Sequence, residues 1–146
     1  MSPNKKLNVQ ASATFDQSGR AFHAIKPPES SGNDQARHPT FCFCCIDPDY
    51  SVRQCDVNQQ KGFANRLIEL SSLTWGQIFR TGRHQLGSEP VDRESLRVPI
   101  PDHVKPDVKL QAFRFHDLKG RMIGYRDVTD RRLFHVLWLD RDHDVF

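Results

Sequence analysis

The chain has no apolar run near the roughly 20 residues needed to cross a bilayer. Its first stretch, MSPNKKLNVQASATF, carries two Lys but no apolar segment behind them, which speaks against a secretory leader. Apolar residues make up 37% of 146, low for a globular chain, so part of the length is expected to lie outside the core. There is little excess charge: 21 Lys and Arg stand against 18 Asp and Glu, a net +3 with seven His neutral. That falls short of the footprint of a dedicated nucleic-acid domain, and it permits an anionic partner without requiring one. Internal repeats and low-complexity runs are absent. So are the C-x2-C knuckles of common zinc sites, although four cysteines are present. From these absences the chain is expected in the cytosol, with no membrane partner. There its cysteines are thiols or metal ligands before they are disulfides.

Residues 1–38 are expected to form a flexible tail. The segment 26-KPPESSGNDQARHP-39 is Pro, Ser, Gly and charge without period, and buries too little apolar surface to offset its ordering entropy. Phe15, Phe22 and Ile25 are its few apolar anchors. A single domain is expected over 39–146. It opens with 40-TFCFCCI-46, apolar on both faces and expected to be a short buried strand, followed by a turn at Asp47–Asp49. In 56-DVNQQKGFANRLIELSSL-73, Phe63, Leu67 and Leu70 fall at helical spacing, widened by Ala64, Ile68 and Leu73, with Asp56 or Asn58 as cap. A second helix is expected over 75-WGQIFRTGRH-84, where Thr74 and Gln77 have capping-box spacing and Gly82 or Gly87 ends it.

Residues 87–109 hold VPIPDHVKP and are expected to be a long loop. Three strands follow: 110-LQAFRFH-116, 121-RMIGYR-126 with Gly124 at a bulge, and 133-LFHVLWL-139, apolar on both faces and therefore central. A last short strand is expected from His143. The fold class is α+β, in the order βααβββ(β), with two helices packed on one face of a small, mainly antiparallel sheet. The other face is expected to stay partly open. Arg114 and His116 would project from it while Phe113 and Phe115 face the core.

The order βααβββ and the stretch 121-RMIGYRDVTDRRLFHVLWLDRDHDVF-146 resemble the RelE/ParE-like toxins of bacterial toxin–antitoxin pairs. There an Arg-initiated apolar strand turns into a very apolar strand and then into a terminal basic and aromatic run. The resemblance covers roughly residues 40–146. It implies a ribosome-dependent mRNA endonuclease that uses no metal or other cofactor, or a relative without that chemistry, with mRNA, the ribosome and an antitoxin protein as partners. It also implies phosphate contacts at Arg121 and Arg126 and a basic role near His143. Phe146 stands where the family usually has Tyr, so a phenol acid or base is missing there, and the long loop at 87–109 is atypical.

Cleavage of RNA needs a base for the 2′-OH, donors for the phosphate and an acid for the leaving oxygen. His suits either proton role and Arg matches phosphate oxygens. The expected catalytic set is Arg121, Arg126, His143 and His116, with Arg114, Arg80 and Arg83 binding nucleic acid. Against this, Arg114 and His116 suit a solvated face, Arg121 and Arg126 suit pairing with Asp117, Asp127 or Asp130, and His135 among large apolar residues suits a core histidine. Arg80 and Arg83 suit a solvated flank of an ordinary helix. Cys42, Cys44 and Cys45 are expected to be buried thiols of a core strand, with no metal site. A zinc set of Cys42, Cys44, Cys55 and His38, or a redox or nucleophilic thiol, stand as alternatives. Three readings result: a toxin-like endoribonuclease, a non-enzymatic module binding protein or nucleic acid, and a zinc-dependent structural domain.

Overall fold

The structure is a computed structural model and describes residues 14–15, 21–22, 34–82, 88–115 and 119–146. It contains two compact units, Met1–Gly32 and Asn33–Phe146. In the first, Thr14–Phe15 (β1) pairs antiparallel with Ala21–Phe22 (β2). Most of the stretch expected to be a flexible tail lies outside the described residues.

The second unit begins earlier than the expected boundary at residue 39. A 3-10 turn at Asp34–Ala36 belongs to it, the Trp75 N–H donates to the Arg37 carbonyl at 2.8 Å, and His38 Nδ1 sits 3.1 Å from the Ser71 carbonyl. Gly76 explains the closeness: a Cβ there would crowd the Gln35 backbone at 3.1 Å. Backbone pairing, invisible in composition, ties this polar segment down.

Five strands form one sheet: Thr40–Cys42 (β3), Ser88–Val91 (β4), Leu110–Phe115 (β5), Gly120–Arg126 (β6) and Leu133–Asp140 (β7). Their order is β3-β7-β6-β5-β4, with β3 parallel to β7 and every other pair antiparallel. Helices Val57–Ser72 (α1) and Trp75–Arg80 (α2) bridge β3 and β4. Each starts with a reciprocal capping box, Asp56 with Gln59 and Thr74 with Gln77, which satisfies two orphan N–H groups per helix. The chain is thus α+β, as expected, but α2 is shorter than the expected 75–84 and Ala64 and Ile68 face solvent.

The helices cover one sheet face. Phe63, Leu70, Trp75 and Ile78 pack on Phe113, Phe115, Met122, Phe134, Val136 and Leu139, all buried. The other face was expected to be open and is not. Val104 and Val145, flanked by Leu96, Val98 and Ile100, cover Val91, Leu110, Ala112, Ile123, Leu137 and Trp138. The proline-rich connection is therefore a lid of core residues that a loop reading overlooks. It also holds β4, within the stretch expected to be a loop, although Pro90 sits in that strand. The ladder tolerates Pro90 because β4 is the sheet's edge.

Two other expectations change. The run 40–46 pairs only over Thr40–Cys42 and then turns, so Phe43, Cys44 and Cys45 are exposed. No strand forms at His143; the chain bends there and His143 takes a left-handed φ of 61°. The expected bulge is present. Ile123 pairs with Trp138 but Gly124 pairs with Val136, leaving Leu137 as the extra residue. Its carbonyl instead accepts the Asp47 N–H at 2.9 Å.

A Cβ at Gly124 would collide with the His135 carbonyl and the Phe134 ring. Gly124→Ala is expected to lower unfolding free energy by about 1–3 kcal/mol, measured by urea denaturation. Gly82→Ala, where nothing lies near the added methyl, serves as the comparison and should not destabilise.

Candidate functional site

On the face away from the helices, Arg114 and Arg121 are cross-strand partners. Like charges directly opposite repel. The buried carboxylate of Glu89 on β4 resolves this: its Oε2 lies 3.4 Å from Arg114 Nη2 and its Oε1 lies 3.2 Å from Arg121 Nε. The second contact is an ion pair without hydrogen-bond alignment, since both atoms lack a hydrogen-bond partner. Arg121 Nη1 also donates to the Phe146 main-chain oxygen at 2.9 Å, and its guanidinium stacks on the Phe146 ring at 4.9 Å. Glu89, not the expected Asp127 or Asp130, supplies the counter-charge seen at Arg121; Asp117 lies outside the described residues.

Arg126 lies five residues further along β6, on the opposite sheet face. Its guanidinium stacks over Trp75 at 4.4 Å and Phe79 at 5.3 Å, and donates twice to the Arg131 carbonyl, at 2.9 and 2.7 Å. Burial and then repulsion from Arg131 lower its pKa to about 10, still far above physiological pH. Arg121 and Arg126 therefore do not share a phosphate site, and the odd spacing in a period-2 strand is the reason. His143 exposes its imidazole on the turn after β7, where its carbonyl accepts from Arg97 at 2.9 Å. Buried Asp140 holds that turn by accepting the Asp144 and Phe146 N–H groups at 2.8 and 3.0 Å. Arg80 is exposed at the end of α2. His116 and Arg83 lie outside the described residues.

A different cluster forms at the other end of this face. Cys42, His135 and Tyr125 stand side by side across β3, β7 and β6. The turn after β3, closed by Ile46 N–H to the Phe43 carbonyl at 3.2 Å, folds Cys44 back on Cys42, with the sulfurs 3.1 Å apart. Cys45 Sγ is 3.5 Å from Cys44 Sγ. His135 Nε2 meets Asp127 Oδ2 at 2.9 Å, and Tyr125 stacks on the imidazole at 4.8 Å. His135 was expected to be a satisfied core histidine; its side chain is 16% exposed and satisfied by Asp127, with the Cys42 and Cys44 thiols beside it. Cys55 is buried elsewhere in the helix-side core, so it does not join Cys42 and Cys44.

Electrostatics argue against an activated thiol at Cys42 or Cys55. The Cys44 N–H lowers the Cys42 pKa, but the Cys44 thiol, burial and the Cys44 charge outweigh it and leave Cys42 raised. Burial likewise raises Cys55 and Tyr125. A nucleophilic cysteine needs the opposite shift.

On the helix side, a cavity of about 530 Å³ opens between the 43–54 segment and α1. Phe43, Ile46, Val52, Phe63, Leu67 and Leu139 supply its apolar wall, with Asp49 and Arg53 among the charged groups lining it. Sequence periodicity marks Phe63 and Leu67 as helix-face residues, but carries no signal that Phe43 and Val52 would stand opposite them. Comparison with family models, curated proteins and solved structures finds no match.

Glu89→Gln removes the charge that two half-buried guanidiniums share. It is expected to destabilise the fold by about 3–5 kcal/mol, because uncompensated buried charge remains; chemical denaturation at neutral pH checks this. In the 127–132 turn, the Asp130 N–H and the His135 side chain lower the Asp127 pKa, and the Arg132 side chain lowers that of Asp130. Depressed carboxylates stabilise above their ordinary value of 3.8 and lose that contribution as pH falls through the lowered folded value. Asp130→Asn should therefore be less stable than wild type at pH 6, with the difference shrinking in strong acid.

Proposed function

We propose that this chain is a non-enzymatic, protein-binding module in which the cavity beside α1 receives apolar side chains of a partner polypeptide. The observation that carries this is the cavity itself. Its walls are mostly apolar, and Phe43 and Val52 remain 37% and 40% exposed there. Exposed aromatic and aliphatic surface next to a concave apolar site is the usual substrate of peptide recognition. The charged residues Asp49 and Arg53 are positioned to orient a partner more than to hold it. In support, the arginines named for phosphate contact are engaged within the fold, and they point to two faces of the sheet.

A second reading, the toxin-like endoribonuclease, keeps one observation in its favour: strand, two helices and a C-terminal antiparallel meander occur in the order of the toxins the chain resembles. In that reading an antitoxin protein would be the natural occupant of the cavity. Inducible expression in bacteria separates the two. The module reading expects normal growth and intact mRNA on ribosomes exposed to purified protein. Growth arrest that His143→Ala relieves at equal protein level would transfer the assignment to the enzyme, since that imidazole is exposed and its loss spares the fold. For binding itself, a photocrosslinker at Val52 should trap one discrete adduct that Phe43→Asp abolishes. A folded protein that forms no adduct in any growth phase would defeat the module reading.

A further inference from the structure

The turn after β3 carries a feature that partner binding does not use. Cys42 Sγ, Cys44 Sγ and a ring nitrogen of His135 lie within 4.8 Å of one another, the one such grouping of metal-ligating side chains among the described residues. We propose that these three side chains bind a zinc-class ion, with Asp127 as the carboxylate that orients the imidazole.

Three independent features of the chain build this site. The parallel register of β3 on β7 sets Cys42 directly beside His135. An unbroken strand would carry Cys44 about 6.6 Å further along; the turn returns it until the sulfurs are 3.1 Å apart. Asp127 is itself fixed, because its Oδ1 accepts the N–H groups of Thr129 and Asp130, both at 2.8 Å. That leaves Oδ2 for His135 at 2.9 Å. A carboxylate on one imidazole nitrogen sets the ring's orientation and raises its basicity as a ligand, the arrangement found around protein-bound zinc. Tyr125 stacked on the ring restricts its tilt further.

The donor types select the ion. Two thiolates and an imidazole suit borderline and soft cations such as zinc and exclude calcium and magnesium, which take oxygen. Zinc–sulfur bonds of about 2.3 Å in a tetrahedron put the sulfurs about 3.8 Å apart. The present contact is a thiol–thiol hydrogen bond, and the exposed Cys44 side chain needs only a small rotation to open it. Binding exchanges two S–H protons for two metal–sulfur bonds and changes no oxidation state. Cys45 stands outside the group, with its sulfur 3.5 Å from that of Cys44, so the three ligands leave a fourth position to fill.

The test uses the full chain, kept reduced with a phosphine and titrated with cobalt(II), then with zinc(II). Expected are one cobalt per chain, the visible bands of a tetrahedral ion, near-ultraviolet thiolate charge transfer, and displacement by zinc. Cys44→Ser and His135→Gln should each abolish the tetrahedral spectrum. Asp127→Asn should weaken binding about 10–100-fold, and Cys55→Ser should leave it unchanged. Cys44 is exposed, so its variant keeps the fold, and circular dichroism confirms that. Absence of stoichiometric cobalt binding, or a spectrum that persists in Cys44→Ser, would overturn the proposal. The readout does not involve the cavity, so failure here leaves the protein-binding reading untouched.

Discussion

The fold rests on the need to keep β7 dry on both sides. Phe134, Val136 and Leu139 face the helices while Leu137 and Trp138 face the other way, all at 1% exposure or less. A strand of this kind cannot serve a two-layer domain with a wet face. One face takes α1 and α2. The other takes the 92–109 connection and the segment after β7, which together supply Val104, Val145 and their neighbours. β6 pairs along β7 on one side and β3 pairs with its first three residues on the other, while β5 and β4 extend the sheet to an edge that accepts proline.

That coverage decides the fate of the charges. Beneath the lid, two guanidiniums meet across β5 and β6 and converge on one carboxylate from the edge strand. Buried arrangements of this type contribute little net stability but are costly to break, because desolvation has already been incurred. On the helix side Arg126 uses Trp75 and Phe79 as its counter-surface and the Arg131 carbonyl as its acceptor. Arg114, Arg121 and Arg126, which look like a reagent in the sequence, are each engaged within the fold.

The short segment after β3 has an unusual share of the molecule's accessible chemistry. Because the strand stops at Cys42, the next side chains diverge. Phe43 reaches the cavity beside Phe63, their rings 6.0 Å apart and near perpendicular, while Cys44 turns back to Cys42. One turn thus borders an apolar cavity and a thiol–imidazole cluster. An ion held by Cys42 and Cys44 would also brace the backbone on which Phe43 sits, which links the two features through a single local conformation.

Helical spacing at Phe63, Leu67 and Leu70, the Thr74 capping box, a cap at Asp56 or Asn58, the three C-terminal strands and the Gly124 bulge were legible because each depends on neighbours within a few residues. By itself, then, the amino-acid sequence determined an α+β domain, its helices and its antiparallel meander. It even contained the fact that Arg121 and Arg126 part company, since five residues in a strand reverse the face. Tertiary structure alone decided the rest. Whether the second face was open depended on Val104 and Val145 coming from remote segments. Whether Glu89 met Arg114 and Arg121 depended on an edge strand hidden behind a proline. Whether His135 joined Cys42 depended on a parallel pairing across 93 residues of chain. Local propensity carries no information about such contacts, because they exist only once loop closure has brought distant segments to the same place.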